Sequence, residues 1–186
     1  MEKVKCSYKK IMFVGPQGSG KTTQAKMLAE KLGYEYLGTG EMLRGIVQRN
    51  ESGAEMLKKI FSEGKLVDDQ TTCKLVQETL SKPEYQNGII MDGYPRTIEQ
   101  KNIFDPDFDI VFYIKVSDET AVKRLISRGR FDDTGLAIQE RLALYHQETG
   151  PLVDIFLSEG KLWIIDGEQP IDVVSEHILH HLEIEN

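Results

Sequence analysis

Eight consecutive residues, Gly15-Pro16-Gln17-Gly18-Ser19-Gly20-Lys21-Thr22, fit the pattern G-x-x-x-x-G-K-[ST]. Glycines let such a loop curl until successive N–H groups face one anion. A helix opening at its end adds partial positive charge. Lys21 has the reach for the β and γ phosphates of a nucleoside triphosphate. Thr22 or Thr23 can set a hydroxyl near phosphate or Mg²⁺. Gly15, Gly18, Ser19, Gly20, Lys21, Thr22 and Thr23 are therefore the candidate triphosphate contacts. Asp92 closes the apolar run Ile89-Ile90-Met91, at the kind of strand end where open α/β sheets place ligand chemistry. A carboxylate there can hold Mg²⁺ through its water shell. The plain alternatives are a glycine-rich turn that binds nothing and a structural hydrogen bond at a strand end.

These groups need elements to position them. Ile11-Met12-Phe13-Val14 is continuously apolar and stops at Gly15, as a buried parallel strand does. A helix is expected over about 20–32, with Ala25, Leu28, Ala29 and Leu32 on one face. Further strands are expected at 34–37, 89–93, 109–116 and 162–166. Thr39 reads as the N-cap of the next helix. Ser52 with Glu55 reads as a capping box for a helix that Gly64 ends. Helices are expected over 68–81, 97–103, 118–127, 136–157 and 171–182. Strands alternating with helices imply βαβ units. The expected fold is α/β, a three-layer α/β/α arrangement of the P-loop NTPase type around a five-stranded parallel sheet.

Composition sets the outer limits. The 186 residues fit one domain carrying small insertions, and 40% apolar residues support a sizeable core. A formal charge of −7 and a pI near 5.2 argue against nucleic-acid or anionic-membrane partners. The two cysteines, Cys6 and Cys73, fit no zinc spacing and read as free thiols of a reducing compartment. The charged N-terminus lacks the apolar region of a signal peptide, and no apolar stretch is long enough for a membrane span. A cytoplasmic monomer is expected.

Three more segments narrow the chemistry: Thr39-Gly40-Glu41-Met42-Leu43-Arg44, Gly64-Lys65-Leu66-Val67, and Asp92-Gly93-Tyr94-Pro95-Arg96-Thr97 with Gln100 beyond. With the phosphate loop and the arginine-rich 123–133 segment, their order resembles the adenylate kinases over essentially the whole chain. The resemblance implies ATP + AMP ⇌ 2 ADP with Mg²⁺. It also implies one kinase domain over 1–186, with an AMP-binding flap at 38–67 and a very short ATP lid at 128–134. By the same resemblance, AMP would meet Thr39, Arg44, Lys65, Leu66, Val67, Gly93, Arg96 and Gln100. Arg124 would lie against the ATP adenine, Gln169 would sit in a loop touching that ring, and Arg128 would contact the ATP phosphates. Arg130 and Arg141 would clamp the transferring phosphoryl and the AMP phosphate, with Asp132 and Asp133 orienting them. Lys21, Arg96, Arg128, Arg130 and Arg141 form the implied catalytic set, and Asp92 the Mg²⁺ carboxylate. Six of the seven arginines then fall at nucleotide contacts, all but Arg49.

The chain also departs from that pattern. Only Gly129 stands between Arg128 and Arg130, where longer-lid relatives insert a segment that sometimes carries four zinc cysteines. No zinc is expected. Thr22 stands where Gly is common. The UMP/CMP kinases are the nearest competitors, but they usually carry Ala and Asn where this chain has Thr39 and Gln100. A nucleotide-binding sensor without catalysis is a second alternative. No general base is needed for a phosphate that is already largely dianionic. The four histidines, at 146, 177, 180 and 181, accordingly read as surface residues.

Overall fold

The sheet is built around the strand that carries the phosphate loop. In the computed structural model, which describes residues 6–182, five parallel strands lie in the order β2-β3-β1-β4-β5. They are β1 (Lys10–Val14), β2 (Glu35–Gly38), β3 (Ile89–Asp92), β4 (Ile110–Lys115) and β5 (Leu162–Asp166). Central β1 pairs with β3 through Phe13 opposite Asp92, and with β4 through Val14 opposite Tyr113. Phosphate loop and carboxylate therefore leave neighbouring strands at the same C-terminal edge.

Nine α-helices connect the strands among the described residues. In chain order they are α1 (Lys21–Leu32), α2 (Thr39–Gln48), α3 (Ala54–Ser62), α4 (Asp69–Leu80), α5 (Ile98–Ile103), α6 (Asp118–Arg128), α7 (Gly135–Leu144), α8 (Gly150–Ser158) and α9 (Ile171–His181). Alternation along β1 explains the layers. Ile11 and Phe13 join a core with Ala25, Leu28 and Leu32 of α1 and Val174 and Ile178 of α9. Met12 and Val14 face the opposite way, toward Cys73 and Val76 of α4 and Leu152 and Phe156 of α8. Burial on both faces is why β1 reads as an unbroken apolar run. Helices α2 and α3 share a small separate cluster of Leu43, Val47, Leu57 and Phe61, with Val67.

Several local expectations need correction. Thr39 is the first residue of α2, not its cap; Gly38 holds the cap position without a side-chain bond. The Thr39 side chain is buried, and its hydroxyl has no partner. Ser52 does not cap α3 either. Gly53 does so at φ 87°, a left-handed conformation that glycine tolerates, and Glu55 pairs with Lys58. The helix expected over 136–157 is interrupted. Tyr145–Thr149 widens into π-type turns, and α8 restarts with Pro151 in its first turn. Proline has no N–H to give and its ring crowds the carbonyl four residues earlier, so the ladder breaks there.

Other signals hold. Asp68 caps α4 by accepting from Thr71 N at 2.9 Å, and Thr97 caps α5 by accepting from Gln100 N at 3.0 Å. The strand at Tyr34 lies one residue later than expected. Cys6 and Cys73 are buried free thiols. No helix among the described residues is long and apolar enough to cross a membrane. Of the N-terminal stretch read for targeting, residues 1–5 lie outside the described residues.

Candidate active site

Loop 15–20 leaves β1 and delivers Lys21 to the start of α1. Its close packing explains two of its glycines. A Cβ on Gly15, at φ 152°, would lie 2.5 Å from Ile114 O, and one on Gly18, at φ 85°, would lie 2.5 Å from Ala121 O. Any side chain there would push the loop off β4 and α6. Ser19 N donates to Pro16 O at 3.1 Å, which tightens the curl. The buried Ser19 Oγ has no hydrogen-bond partner. Lys21 Nζ donates to Pro16 O at 3.0 Å. Burial lowers its pKa to about 8; Asp92 opposes that shift, and Arg96, Arg128 and Arg130 add to it.

Asp92 is buried at the end of β3. Its Oδ2 accepts from the Thr22 hydroxyl, and from the Tyr36 hydroxyl at 3.4 Å. Its Oδ1 is buried and has no partner. A carboxylate oxygen left unsatisfied beside the phosphate loop suits the waters of a hydrated Mg²⁺, so these residues fit that ion. Among the described residues no cluster of three or more His, Cys, Asp or Glu could hold a metal directly. The fit is to a water-bridged ion carried by a nucleotide.

Two cavities open on this edge. One, of about 1380 Å³ and open to solvent, runs over the phosphate loop and α1 past Arg124 to Gly167, Gln169 and Ile171. Gly18, Ser19, Gly20 and the exposed Thr23 line it; Gly15 does not, and packs against Ile114 of β4 instead. Arg124 bolts its walls together by donating to Ser19 O at 3.3 Å and to Gly167 O at 3.0 Å. Glu168 holds the second wall on the N-terminus of α6, accepting from Ser117 N at 2.7 Å and from the Thr120 hydroxyl at 2.7 Å. Gln169 donates its side-chain amide to Asp166 at 2.8 Å. That bond ties the side chain to β5 and leaves the backbone of the loop beside the cavity.

The other cavity, of about 1010 Å³, lies between α2, α3 and the loop after β3. Thr39, Arg44, Lys65, Leu66, Val67, Asp92, Gly93, Arg96, Gln100, Arg130 and Arg141 all line it. Arg44 and Arg96 converge near Gly40, where an added Cβ would lie 3.2 Å from one guanidinium and 3.4 Å from the other. Arg96 Nε donates to Gly93 O at 3.0 Å, which fixes that fork. Neither arginine has a carboxylate partner within 4.0 Å among the described residues. Burial lowers the pKa of Arg44 to about 10, with Arg130, Arg96 and Arg128 adding to the shift and Asp132 opposing it. Burial lowers that of Arg96 too, with Asp92 opposing and Arg141 adding to the shift. Such a site holds guanidinium charge that no direct ion pair occupies, which suits an anion.

Carboxylates of the segment between α6 and α7 hold Arg128 and Arg141. Arg128 makes a two-pronged contact with Asp133 at 2.9 and 2.7 Å. Arg141 reaches Asp133 at 3.1 Å, Asp132 at 2.6 Å and Phe61 O at 3.3 Å. Burial disfavours an ionised Asp133, yet the Arg128 bonds outweigh it and hold its pKa below the usual carboxylate range. Lys21, Thr22, Arg128 and Arg130 line both cavities, so the two meet at a shared basic junction.

All the sequence-derived candidates therefore lie on one edge of the sheet. Lys65 is the most exposed of the second cavity's basic residues and pairs with Glu63 at 2.8 Å. The sequence reading missed Gln17, Tyr36, Phe61, Gly64, Thr72, Tyr145 and Thr149 as lining residues. Tyr145 and Thr149 had a usable signal in Pro151, because the turn it breaks swings both toward the cavity. Thr149 donates its hydroxyl to Arg96 O at 2.8 Å.

Comparison with known proteins agrees with this geometry. Residues 13–161 match the family model described as adenylate kinase. The chain is 36% identical over 177 residues to adenylate kinase 1 of Synechocystis sp. (strain ATCC 27184 / PCC 6803 / Kazusa), covering 91% of this chain and 95% of that protein. It is 33% identical over 181 residues to the adenylate kinase of Corynebacterium urealyticum, covering 94% and 99%. With the adenylate kinase of Prochlorococcus marinus (strain MIT 9211) it shares 38% over 174 residues, covering 89% and 92%.

Proposed function

The chain belongs to the adenylate kinase family, and from that premise we propose how its residues divide the work of ATP + AMP ⇌ 2 ADP. The observation that carries the division is the junction of the two cavities at Lys21, Thr22, Arg128 and Arg130. A phosphoryl group passing between two nucleotides must cross such a point.

ATP occupies the phosphate-loop cavity. Backbone N–H groups of Gly15 to Thr23 cradle its phosphates, Arg124 stacks by its planar guanidinium on the adenine, and the Gln169 loop closes over that ring. AMP occupies the second cavity, with its phosphate gripped by Arg44 and Arg96. Its base lies among Thr39, Lys65, Leu66 and Val67, and Gln100 bonds the ring edge. Gly93 lets the ligand approach the backbone closely. Lys21, Arg96, Arg128, Arg130 and Arg141 stabilise charge on the equatorial oxygens as the phosphoryl moves in line. Mg²⁺ with the ATP supplies neutralisation between phosphates. Asp92, with Thr22 on its other oxygen, would hold the waters of that ion.

Residues 38–67 act as the flap over AMP, which their own apolar cluster supports. Residues 128–134 act as the short lid over ATP within a single kinase domain. The enzyme works as a cytoplasmic monomer; its formal charge of −7 disfavours nucleic acid and anionic membranes as partners. A coupled ADP assay with ATP and a panel of AMP, UMP and CMP tests the acceptor. Turnover with AMP well above the pyrimidine nucleotides is expected. Preference for UMP or CMP, or binding of both adenine nucleotides without ADP formation, would overturn the assignment.

A further inference from the structure

The proposed base contact, Gln100, is held by a carboxylate that does not itself line the cavity. Gln100 is 2% exposed. Its Nε2 donates to Asp69 Oδ1 at 2.9 Å, and its Oε1 accepts from Arg96 N at 2.8 Å. Asp69 is the first residue of α4, and the same Oδ1 accepts from the Thr97 hydroxyl at 3.1 Å. The Thr97 hydroxyl in turn accepts from Gln100 N at 3.0 Å. The network joins the starts of two helices around one carboxamide.

The chemistry of the partners fixes which way that carboxamide points. An ionised carboxylate only accepts, and a backbone N–H only donates. Turning the amide over would set its oxygen against Asp69 and its NH₂ against an N–H, losing both bonds and adding two repulsions. One hydrogen on Nε2 and one lone pair on Oε1 are left to meet a ligand, in a single order.

That order matters to a purine. A 6-amino purine offers acceptor N1 beside donor N6–H. A 6-oxo purine offers donor N1–H beside acceptor O6. A freely turning glutamine could satisfy either by rotating half a turn, whereas a locked one matches only the first. We propose that Asp69 is a positioning residue that locks Gln100 in the orientation selective for 6-amino over 6-oxo purine monophosphates. This rests on the reading that Gln100 meets the acceptor base.

The test compares kcat/KM for AMP and for IMP, with ATP as donor, in three variants. Asp69→Ala should lower AMP use about tenfold through KM and shift selectivity toward IMP by about tenfold or more, leaving KM for ATP unchanged. Asp69→Asn keeps a carbonyl oxygen that can accept from Nε2, and should hold selectivity within about threefold of the parent. If Asp69→Ala does not fold, Asp69→Ser makes the same comparison, because its hydroxyl ends one bond short of Nε2. Equal loss of AMP and IMP use, or unchanged selectivity, overturns the lock, since a merely structural role would weaken both acceptors alike. Gln100→Ala separates the two levels. Selectivity lost there but kept in Asp69→Ala overturns the lock alone. Selectivity kept in both overturns the base contact beneath it.

Discussion

Two pairs of arginines that line the second cavity hold their positive charge in opposite ways. Arg44 and Arg96 are half-buried with no carboxylate within 4.0 Å among the described residues, and both have lowered pKa values because burial disfavours their charge. Arg128 and Arg141 are instead tied to Asp133 and Asp132. A half-buried guanidinium with no ion-pair partner has shed part of its water before a ligand arrives, so an anion meets it at a reduced desolvation cost. A carboxylate-tied guanidinium is fixed in place, but an incoming phosphate must share it. On the proposed roles, the acceptor half, Arg44 and Arg96, is suited to capture, and the lid half, Arg128 and Arg141, to holding a geometry that answers charge as it develops.

The largest expected effect strikes the junction that both halves share. Lys21→Met should lower kcat by about a thousandfold or more, measured as ADP formation at saturating substrates. Removing Mg²⁺ with excess chelator should abolish turnover, and added Mg²⁺ should restore it. Next comes the acceptor half alone. Arg96→Ala should reduce kcat/KM for AMP by about a hundredfold or more, while ATP binding by calorimetry changes little. An unchanged AMP dependence would erase the contrast between the two arginine pairs. The lid half should respond less. Asp133→Asn loosens Arg128 and Arg141 without removing either, and should lower kcat by about tenfold with smaller changes in either KM.

A pH series sharpens the same contrast. Lys21 must be charged to meet phosphate, and its pKa in the free enzyme is about 8. Below that value kcat/KM for ATP should be flat; above it the protonated fraction, and with it kcat/KM, should fall by up to about tenfold per pH unit. The smallest effects concern caps. Thr97→Ala should lower stability by about 1 kcal/mol in denaturant unfolding, and Ser52→Ala by about 0.5 kcal/mol or less, because only the first caps a helix.

What could be read from the chain follows the same physical divide. The phosphate loop was legible because its glycines, lysine and hydroxyl act within eight adjacent residues. The inner strands β1, β3 and β4 were legible because burial on both faces leaves them almost uniformly apolar; the edge strands β2 and β5 are more exposed, and β2 carries a weaker signal. Arg44, Arg96 and Arg141 came from motif order, and the fold does bring them to one cavity. Asp69 was illegible: an acid in the first turn of a helix looks like any other, and its use depends on α5 lying alongside. Tyr36 was read as strand filling, yet its hydroxyl reaches Asp92 because Gly38 leaves it room; a Cβ there would lie 2.2 Å from that oxygen. Ser52 matched a capping pattern, but the chain turned one residue later. Thr39 was given a cap's role when its side chain lines the cavity instead.

The position of β1 has a consequence for how the protein is made. The strand that carries the phosphate loop has no partner strand close to it in the chain. Its partners are β3, beginning at Ile89, and β4, ending at Lys115. Parallel pairing across such separations closes late. The apolar β1 therefore stays unpaired while the chain from it through β4 is made, and nucleotide in the cell can offer it no shelter until β4 has emerged.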